Sequence, residues 1–306
     1  MFESKPYTDY SAWMSQYFPF KVQKISIDAG FSCPNRDGKI SRGGCTFCDN
    51  RSFNPSYCDG AKTVKVQIEE GKAFFSRKYP NMKYLAYFQA FSNTYADVVK
   101  LKSLYEEALA VDDVVGIIIG TRPDCIDDEK IEYIKELSKT TFCMVEYGIE
   151  STNNTTLKNI NRGHTFEQSR DAIIKTHDAG ILCGAHVIIG LPGETKEMII
   201  ESAKTISNLP LDILKIHQLQ ILKGTQMAKS AETIQTLSLD GYIKILAEYI
   251  EHLRPSLVLE RFVSQSPADM LIAPKWGLKN HEFTHKLIQY MDANNMVQGG
   301  KFSCSL

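Results

Sequence analysis

The chain has 306 residues, 35 of them basic and 36 acidic, for a formal net charge of −1. That length suits one large domain, or one domain with a small extension, and buries a sizeable core; near-neutrality excludes a global field that would recruit nucleic acid or membrane. Eight cysteines in so long a chain argue against a disulfide framework. No run approaches transmembrane length, and the opening MFESKPYTDY lacks the apolar core of a signal peptide, so the expected compartment is the reducing cytoplasm.

The arm to Phe20 is rich in aromatic residues (Tyr7, Tyr10, Trp13, Tyr17, Phe18) and is predicted to pack onto the domain as a short helix. Lys24 to Asp28 reads as a first strand that delivers the chain into CPNRDGKISRGGCTFCDN, Cys33 to Asn50. Eleven residues separate Cys33 from Cys45 and two separate Cys45 from Cys48. Gly38, Gly43 and Gly44 let the backbone fold around a centre. Three thiolates on one loop suit a four-iron cluster with one iron left open. A structural zinc site is the alternative; it needs a fourth ligand, and the only nearby thiol is Cys58. Between Lys21 and Arg51 lie six basic residues (Lys21, Lys24, Arg36, Lys39, Arg42, Arg51) and three acidic ones. That local excess is either a solvated face or a patch for a phosphate-bearing partner.

Thr63 to Tyr79 has helical spacing, with Pro80 just beyond it. Apolar runs then recur about every thirty residues, the length of a βαβ unit: Tyr84–Ala90, Val114–Gly120, Phe142–Ile149, Leu182–Leu191 and Ile213–Leu222. Helical patterns at Asp97–Ala110, Asp128–Lys139, Phe166–Ala179 and Lys196–Leu209 separate them. The runs are near-continuous, as parallel strands buried on both faces should be. The predicted fold is α/β, a partial (β/α)6 TIM-like barrel with a C-terminal α/β extension; a flat doubly wound sheet is the rival. Chemistry in such barrels sits at the carboxyl ends of the strands. Polar, glycine-rich segments gather there: the cysteine loop, QAFSNTY, TRPDC, ESTN and GLPGE.

From Ser238 the pattern changes to a helix at Leu239–Leu253, a strand-like run at Ser256–Val263, a loop to Lys279 and a last helix at Glu282–Asn294. The expected division is therefore 1–237, the barrel core with its arm, and 238–306, an extension packed across the barrel. Arg261, Lys275 and Trp276 stand out in it: tryptophan can stack on a base and lysine can meet a phosphate, while a buried anchor is the plainer role for Trp276. Lys275, Trp276 and Lys279, with the basic edge of the cysteine loop, are expected to form an entrance for a phosphate-bearing substrate.

The cysteine loop, YFQAFSNTY, IGTRPDC, EYGIES, INRGHT and HVIIGLPGE, in that order, resemble the radical S-adenosylmethionine (SAM) enzymes. More narrowly they resemble the YhcC/YtqA-type group, related to the Elongator catalytic subunit. Most superfamily members have three residues between the first two cysteines; the longer gap here is familiar in the Elongator-like branch. No acetyltransferase-like segment accompanies it, so an acetyl-CoA reaction is not expected. The resemblance implies that Cys33, Cys45 and Cys48 bind a 4Fe–4S cluster whose open iron takes the amino and carboxylate groups of SAM. Reduction then cleaves a carbon–sulfur bond to give a 5′-deoxyadenosyl radical, the cofactor supplying the hard chemistry and the protein its position.

The resemblance also assigns cofactor contacts. Phe47 presents its backbone to the adenine, unless it only packs over the cluster. Gln89 to Asn93 meets the methionine amino group; Asn93 alone would be a turn residue. Glu150 suits a ribose diol, with Ser151 beside it or serving as a helix N-cap. Arg162 forms a bidentate pair with the methionine carboxylate, or is a surface arginine. Gly190, Pro192 and Gly193 let the fifth strand approach the adenine, or simply mark a turn. His186 reads as a satisfied core histidine, and Arg122 with Asp124 as pocket floor or structural ion pair. Implied partners are tRNA, because the most similar relatives act on wobble-uridine side chains, and an electron donor such as flavodoxin or ferredoxin; no membrane is implied. The competing function is a non-catalytic zinc or iron–sulfur binding or regulatory protein.

Overall fold

Every apolar run predicted to be a strand forms one, because each has a buried destination on both faces. The computed structural model describes residues 5–76 and 81–303. In it α1 (Tyr10–Met14) precedes β1 (Val22–Ile27), α2 (Val64–Ser76) leads to β2 (Lys83–Phe88), and α3 (Val98–Leu109) to β3 (Val114–Thr121). Next, α4 (Asp128–Ser138) leads to β4 (Phe142–Glu150), a short α5 (Asn154–Asn159) and α6 (Phe166–Asp178) to β5 (Leu182–Ile189), and α7 (Lys196–Ser207) to β6 (Ile213–Gln218). The chain finishes with β7 (Ile221–Leu222), α8 (Leu239–Glu251), β8 (Val258–Arg261), β9 (Leu271–Ala273) and α9 (Asn280–Ala293). The predicted extension of α2 to Tyr79, and Pro80 after it, lie outside the described residues.

The main sheet runs β1-β2-β3-β4-β5-β6-β8, all parallel. Six strands were expected; β8, from the stretch after residue 238, is a seventh and pairs with β6. Lys24 on β1 meets Glu260 on β8 at 2.7 Å. The two edge strands therefore face each other across the interior, and the sheet is a curled partial barrel rather than a flat doubly wound one. The aromatic arm lies along the seam. The Leu259 N–H donates to the Thr8 carbonyl at 2.8 Å, and Tyr7 sets its ring edge-on to Phe262 at 4.9 Å. Met14 joins the inward-facing Leu85, Tyr87, Ile118, Met144, Ile213 and Val258. Met144, Ile213 and Val258 lie toward the amino ends of their strands, so the arm covers that mouth, and the interior opens at the carboxyl ends.

The outward residues, such as Phe88, Ile119, Val145 and Val187, pack under the helices in the main core. Local signals place those helices. Thr165 and Gln168 form a capping box at the start of α6, each satisfying an N–H that the helix leaves unpaired. Thr165→Ala is expected to cost about 1 kcal/mol of stability, read from the midpoint of urea unfolding. Trp276 is an anchor: its ring stacks on Phe283 at 6.0 Å, lies 5.2 Å from Tyr242, and its Nε1–H donates to the Leu237 carbonyl at 3.2 Å. It joins α8 to α9 and does not line the cavity described next; nor does the exposed Lys275.

Candidate active site

A cavity of about 240 Å³ opens at the carboxyl ends of the strands, and Cys33, Cys45 and Cys48 all line it. Their loop is seated by the turn after α5. Asn35 Nδ2 donates to the Asn161 carbonyl at 2.5 Å, Asn161 Nδ2 to the Gly44 carbonyl at 2.8 Å, and the Thr46 N–H to the Ile160 carbonyl at 2.9 Å. Gly163 has φ +80°, and a Cβ there would lie 2.5 Å from Asn35 Oδ1, so INRG requires its glycine for both reasons. From the other side, the Met227 N–H donates to the Thr46 carbonyl at 2.8 Å.

Three nitrogen donors surround the thiols. Arg162 Nη1 lies 3.4 Å from Cys45 Sγ, Asn35 Nδ2 lies 3.6 Å from the same sulfur, and Arg36 Nη2 donates to the Cys48 carbonyl at 2.7 Å. Among the described residues no three His, Cys, Asp or Glu side chains converge closely enough to hold a single metal ion. The thiols instead border a common space, as ligands to separate irons of one cluster would, and the donors are of the kind that tunes cluster sulfurs. Cys58 is buried in the main core and absent from the cavity wall; burial pushes its thiol up to about 12.

Strand β4 supplies the facing wall. Glu146, Gly148 and Glu150 point inward on alternate positions and line the cavity. The β4–β5 register shifts between Gly148 and Glu150, and Glu150 has φ +69°, a bulge of the kind that re-aims a side chain at a strand end. Arg162 Nη2 donates to the Gly148 carbonyl at 2.6 Å and lies 3.5 Å from Glu150 Oε1. A Cβ on Gly148 would sit 2.5 Å from Glu150 Oε1 and 2.6 Å from Arg162 Nη2. Gly148→Ala should therefore displace both groups.

The other expected site residues divide. Phe47 and Gln89 line the cavity; Phe47 also packs against the apolar cluster that holds Leu157 and Leu219. Gln89 Oε1 accepts from Ser26 Oγ at 3.0 Å. Asn93 departs from expectation. It is fully buried, its Nδ2 donates to the Gly120 carbonyl at 2.7 Å, and it ties the chain after β2 to β3 instead of lining the cavity. Ser151 turns away to donate to Glu194 Oε1 at 2.6 Å, and the N-cap of α5 is Asn153, not Ser151. Gly190 has φ +92°, but what approaches it is Leu237, 3.3 Å from an added Cβ; neither it nor Pro192 lines the cavity. Arg162 makes one bond each from Nη1, to Cys45, and Nη2, to Gly148, and its Nε is buried without a partner among the described residues. Arg122 does line the cavity while pairing bidentately with Asp124, at 2.8 and 2.7 Å.

Deeper in the barrel is a charge cluster that the motifs did not announce. Glu146, 1% exposed, lies 2.6 Å from Lys215 Nζ, 3.2 Å from Lys24 Nζ and 3.0 Å from His186 Nε2. Glu260 is shared by Lys24 at 2.7 Å and Lys215 at 3.5 Å. His186 is thus satisfied, yet it also lines the cavity. A charged residue inside each of the runs FCMVEYGIE and ILKIHQ was the available signal, because such runs are otherwise apolar. Lys24 belongs to this interior, Arg36 turns in toward Cys48, and Arg51 pairs with Asp49 at 2.6 Å. Two of the six basic residues counted along the cysteine loop, Lys24 and Arg36, are therefore turned inward, while Lys21, Lys39, Arg42 and Arg51 stay exposed.

A cysteine-lined cavity at the open end of a curled parallel barrel defines a class, and the comparisons agree with it. The signature of the radical SAM superfamily matches residues 37–206, and that of the radical SAM C-terminal domain matches residues 211–293. The chain belongs to the radical SAM superfamily, and within it to the YhcC/YtqA-type group. It is 35% identical to the uncharacterized protein YtqA of Bacillus subtilis over 300 residues, 97% of this chain and 93% of that one. It is 28% identical to the tRNA uridine(34) acetyltransferase of Methanocaldococcus infernus over 189 residues, 60% of this chain and 34% of that one. Among solved structures, the archaeal Elp3 of Methanocaldococcus infernus with an N-terminal deletion superposes with TM-score 0.66 at 16% identity, covering 91% of this chain and 64% of the other. The protein is a radical SAM enzyme, with a 4Fe–4S cluster and SAM as cofactors. No helix among the described residues is long and apolar enough to cross a membrane.

Proposed function

We propose that Cys33, Cys45 and Cys48 hold the 4Fe–4S cluster and that Phe47, Gln89 and Glu150 bind SAM beside it. The observation that carries this reading is the convergence of all three thiols and Glu150 on one cavity. When bound and reduced, the cluster would supply the electron for cleavage of SAM to methionine and a 5′-deoxyadenosyl radical. The chain's own residues set the stage. Arg162 neutralises Cys45 and holds Glu150, so it is a positioning residue. Glu150, held at the bulge, accepts hydrogen bonds from a diol. Asn93 acts by bracing the strand ends, Ser151 by fixing Glu194, and Gly190 and Pro192 by shaping the turn that packs on Leu237. Glu150→Gln is expected to weaken SAM binding by about 1.5–3 kcal/mol while the apo-protein melting temperature stays near wild type; unchanged affinity with a large drop in melting temperature would return Glu150 to a structural role.

The substrate we propose is the side chain of the wobble uridine of tRNA, with electrons from flavodoxin or ferredoxin. Support comes from the relative named for uridine 34 of tRNA, which matches 60% of this chain. The division after residue 237 is then functional: 1–237 holds cluster and cofactor, and 238–306 adds β8 and the substrate side of the cavity. Mass-spectrometric comparison of tRNA nucleosides from cells with and without the gene tests the substrate. A modified uridine lost with the gene is the expected result, and an unchanged nucleoside profile contradicts it.

A further inference from the structure

We infer that Arg261 is an anion-binding residue of the substrate pocket, so that the molecule entering the cavity carries a carboxylate or a phosphate, met by Arg261 and His217 together. This rests on the reading of the cavity as the place of reaction, and concerns its substrate side rather than its cofactor side.

The argument is one of charge matching and elimination. In the barrel interior two carboxylates, Glu146 and Glu260, are shared by two lysines, Lys24 and Lys215. Of the cavity's other arginines, Arg122 has Asp124, Arg162 has Glu150 and Cys45, and Arg36 has the Cys48 carbonyl. Arg261 lines the same cavity with no carboxylate at ion-pair distance among the described residues. Its Nη2 lies 3.4 Å from His217 Nδ1, and its Nε is buried without a partner. Arg261 is half-buried with no counter-ion beside it among the described residues, and its planar fork suits carboxylate and phosphate.

His217 adds a second donor. Its Nδ1 faces both Ser264 Oγ and Arg261. Burial first, and Arg261 next, hold the ring well below the usual histidine range, so the neutral ring that accepts at Nδ1 carries its proton on Nε2. That N–H has no hydrogen bond among the described residues. Two further polar groups of this wall, Gln218 and Gln220, are tied to the loop after β8. Gln218 pairs with the Ser264 backbone at 2.8 and 3.0 Å, and Gln220 with the Ser264 carbonyl at 3.2 Å and Ser266 Oγ at 2.7 Å. These bonds pin the loop after β8, which leaves Arg261 and His217 as a preformed pair with donors to spare.

Calorimetric titration of the anaerobically reconstituted full chain, saturated with SAM, tests this with inorganic phosphate and with acetate as separate probes. Saturable binding of at least one anion, at one site per chain, is expected. Binding of acetate alone points to a carboxylate, and of phosphate alone to a phosphate group. Arg261→Gln should weaken that anion about tenfold or more, Arg261→Lys by a smaller factor, and Lys275→Ala not at all, with SAM affinity unchanged in all three. Should Arg261→Gln fail to fold, Arg261→Lys carries the test. No saturable anion binding to the wild-type protein, or binding that both Arg261 variants leave intact, overturns the inference. Wild-type protein that cleaves SAM yet ignores both anions would sink this inference alone, whereas protein that never cleaves SAM would sink the function proposed above.

Discussion

Replacing Cys33, Cys45 or Cys48 singly by alanine should abolish the iron–sulfur chromophore and all SAM cleavage, while Cys58→Ala should keep iron content at the wild-type level. All three ligand candidates border one cavity, and Cys58 does not. Each thiolate of a site-differentiated cluster binds its own iron, so no spare ligand compensates for a missing one. Arg162 and Asn35 donate toward Cys45, and a thiolate so supported is not interchangeable with a thiol in the apolar core. Iron analysis and visible absorption of anaerobically reconstituted variants measure the outcome. Loss of the cluster in Cys58→Ala with its retention in Cys33→Ala would reverse the assignment.

The second large effect is expected at Glu146. Its carboxylate is the shared partner of Lys24, Lys215 and His186 at the centre of the barrel. Glu146→Leu strands two buried ammonium groups with only Glu260 between them. Breaking a buried pair by deleting one partner costs about 3–5 kcal/mol, to be read from urea unfolding followed by circular dichroism. The pH dependence has a definite sign. Burial alone would raise the Glu146 pKa, but Lys215 and Lys24 overcome it and hold the carboxyl well below the ordinary value of 4.5. A carboxyl depressed in the folded state contributes stability above its unfolded pKa, and that contribution is lost as pH falls through the folded value. Wild-type stability should thus fall more steeply below about pH 4.5 than that of Glu146→Gln, for which this titration is absent. Parallel acid limbs for the two proteins would show that the cluster contributes little.

Much of the fold was legible because the strands announce themselves. Runs such as VVGIIIG and FCMVEYGI, about thirty residues apart, can be satisfied only as parallel strands covered on both faces. The gathering of polar segments at their carboxyl ends located the cavity, and the cysteine spacing located the loop within it. Long-range pairing was less legible. The strand-like character of Ser256–Val263 was visible, but nothing local to β8 says that it joins β6 and brings Glu260 across to Lys24. The antiparallel pair β7–β9 was missed for the same reason, since two and three residues carry no readable period.

Side-chain direction was the least legible part of the motifs. Asn93 and Ser151 lie in the right segments, but their side chains turn to Gly120 and Glu194. Arg162 lines the cavity with one bond already made from each Nη. Lys24 was counted toward a surface patch because a one-dimensional tally cannot see that its strand position faces the barrel interior.

The central claim is that this chain generates a radical from SAM at a cluster held by Cys33, Cys45 and Cys48. The most direct measurement is anaerobic reconstitution with iron and sulfide, reduction, and quantification of 5′-deoxyadenosine and methionine from added SAM. A brown protein that forms 5′-deoxyadenosine, with formation lost in Cys45→Ala, is the predicted result. A colourless protein holding stoichiometric zinc and leaving SAM intact would contradict it.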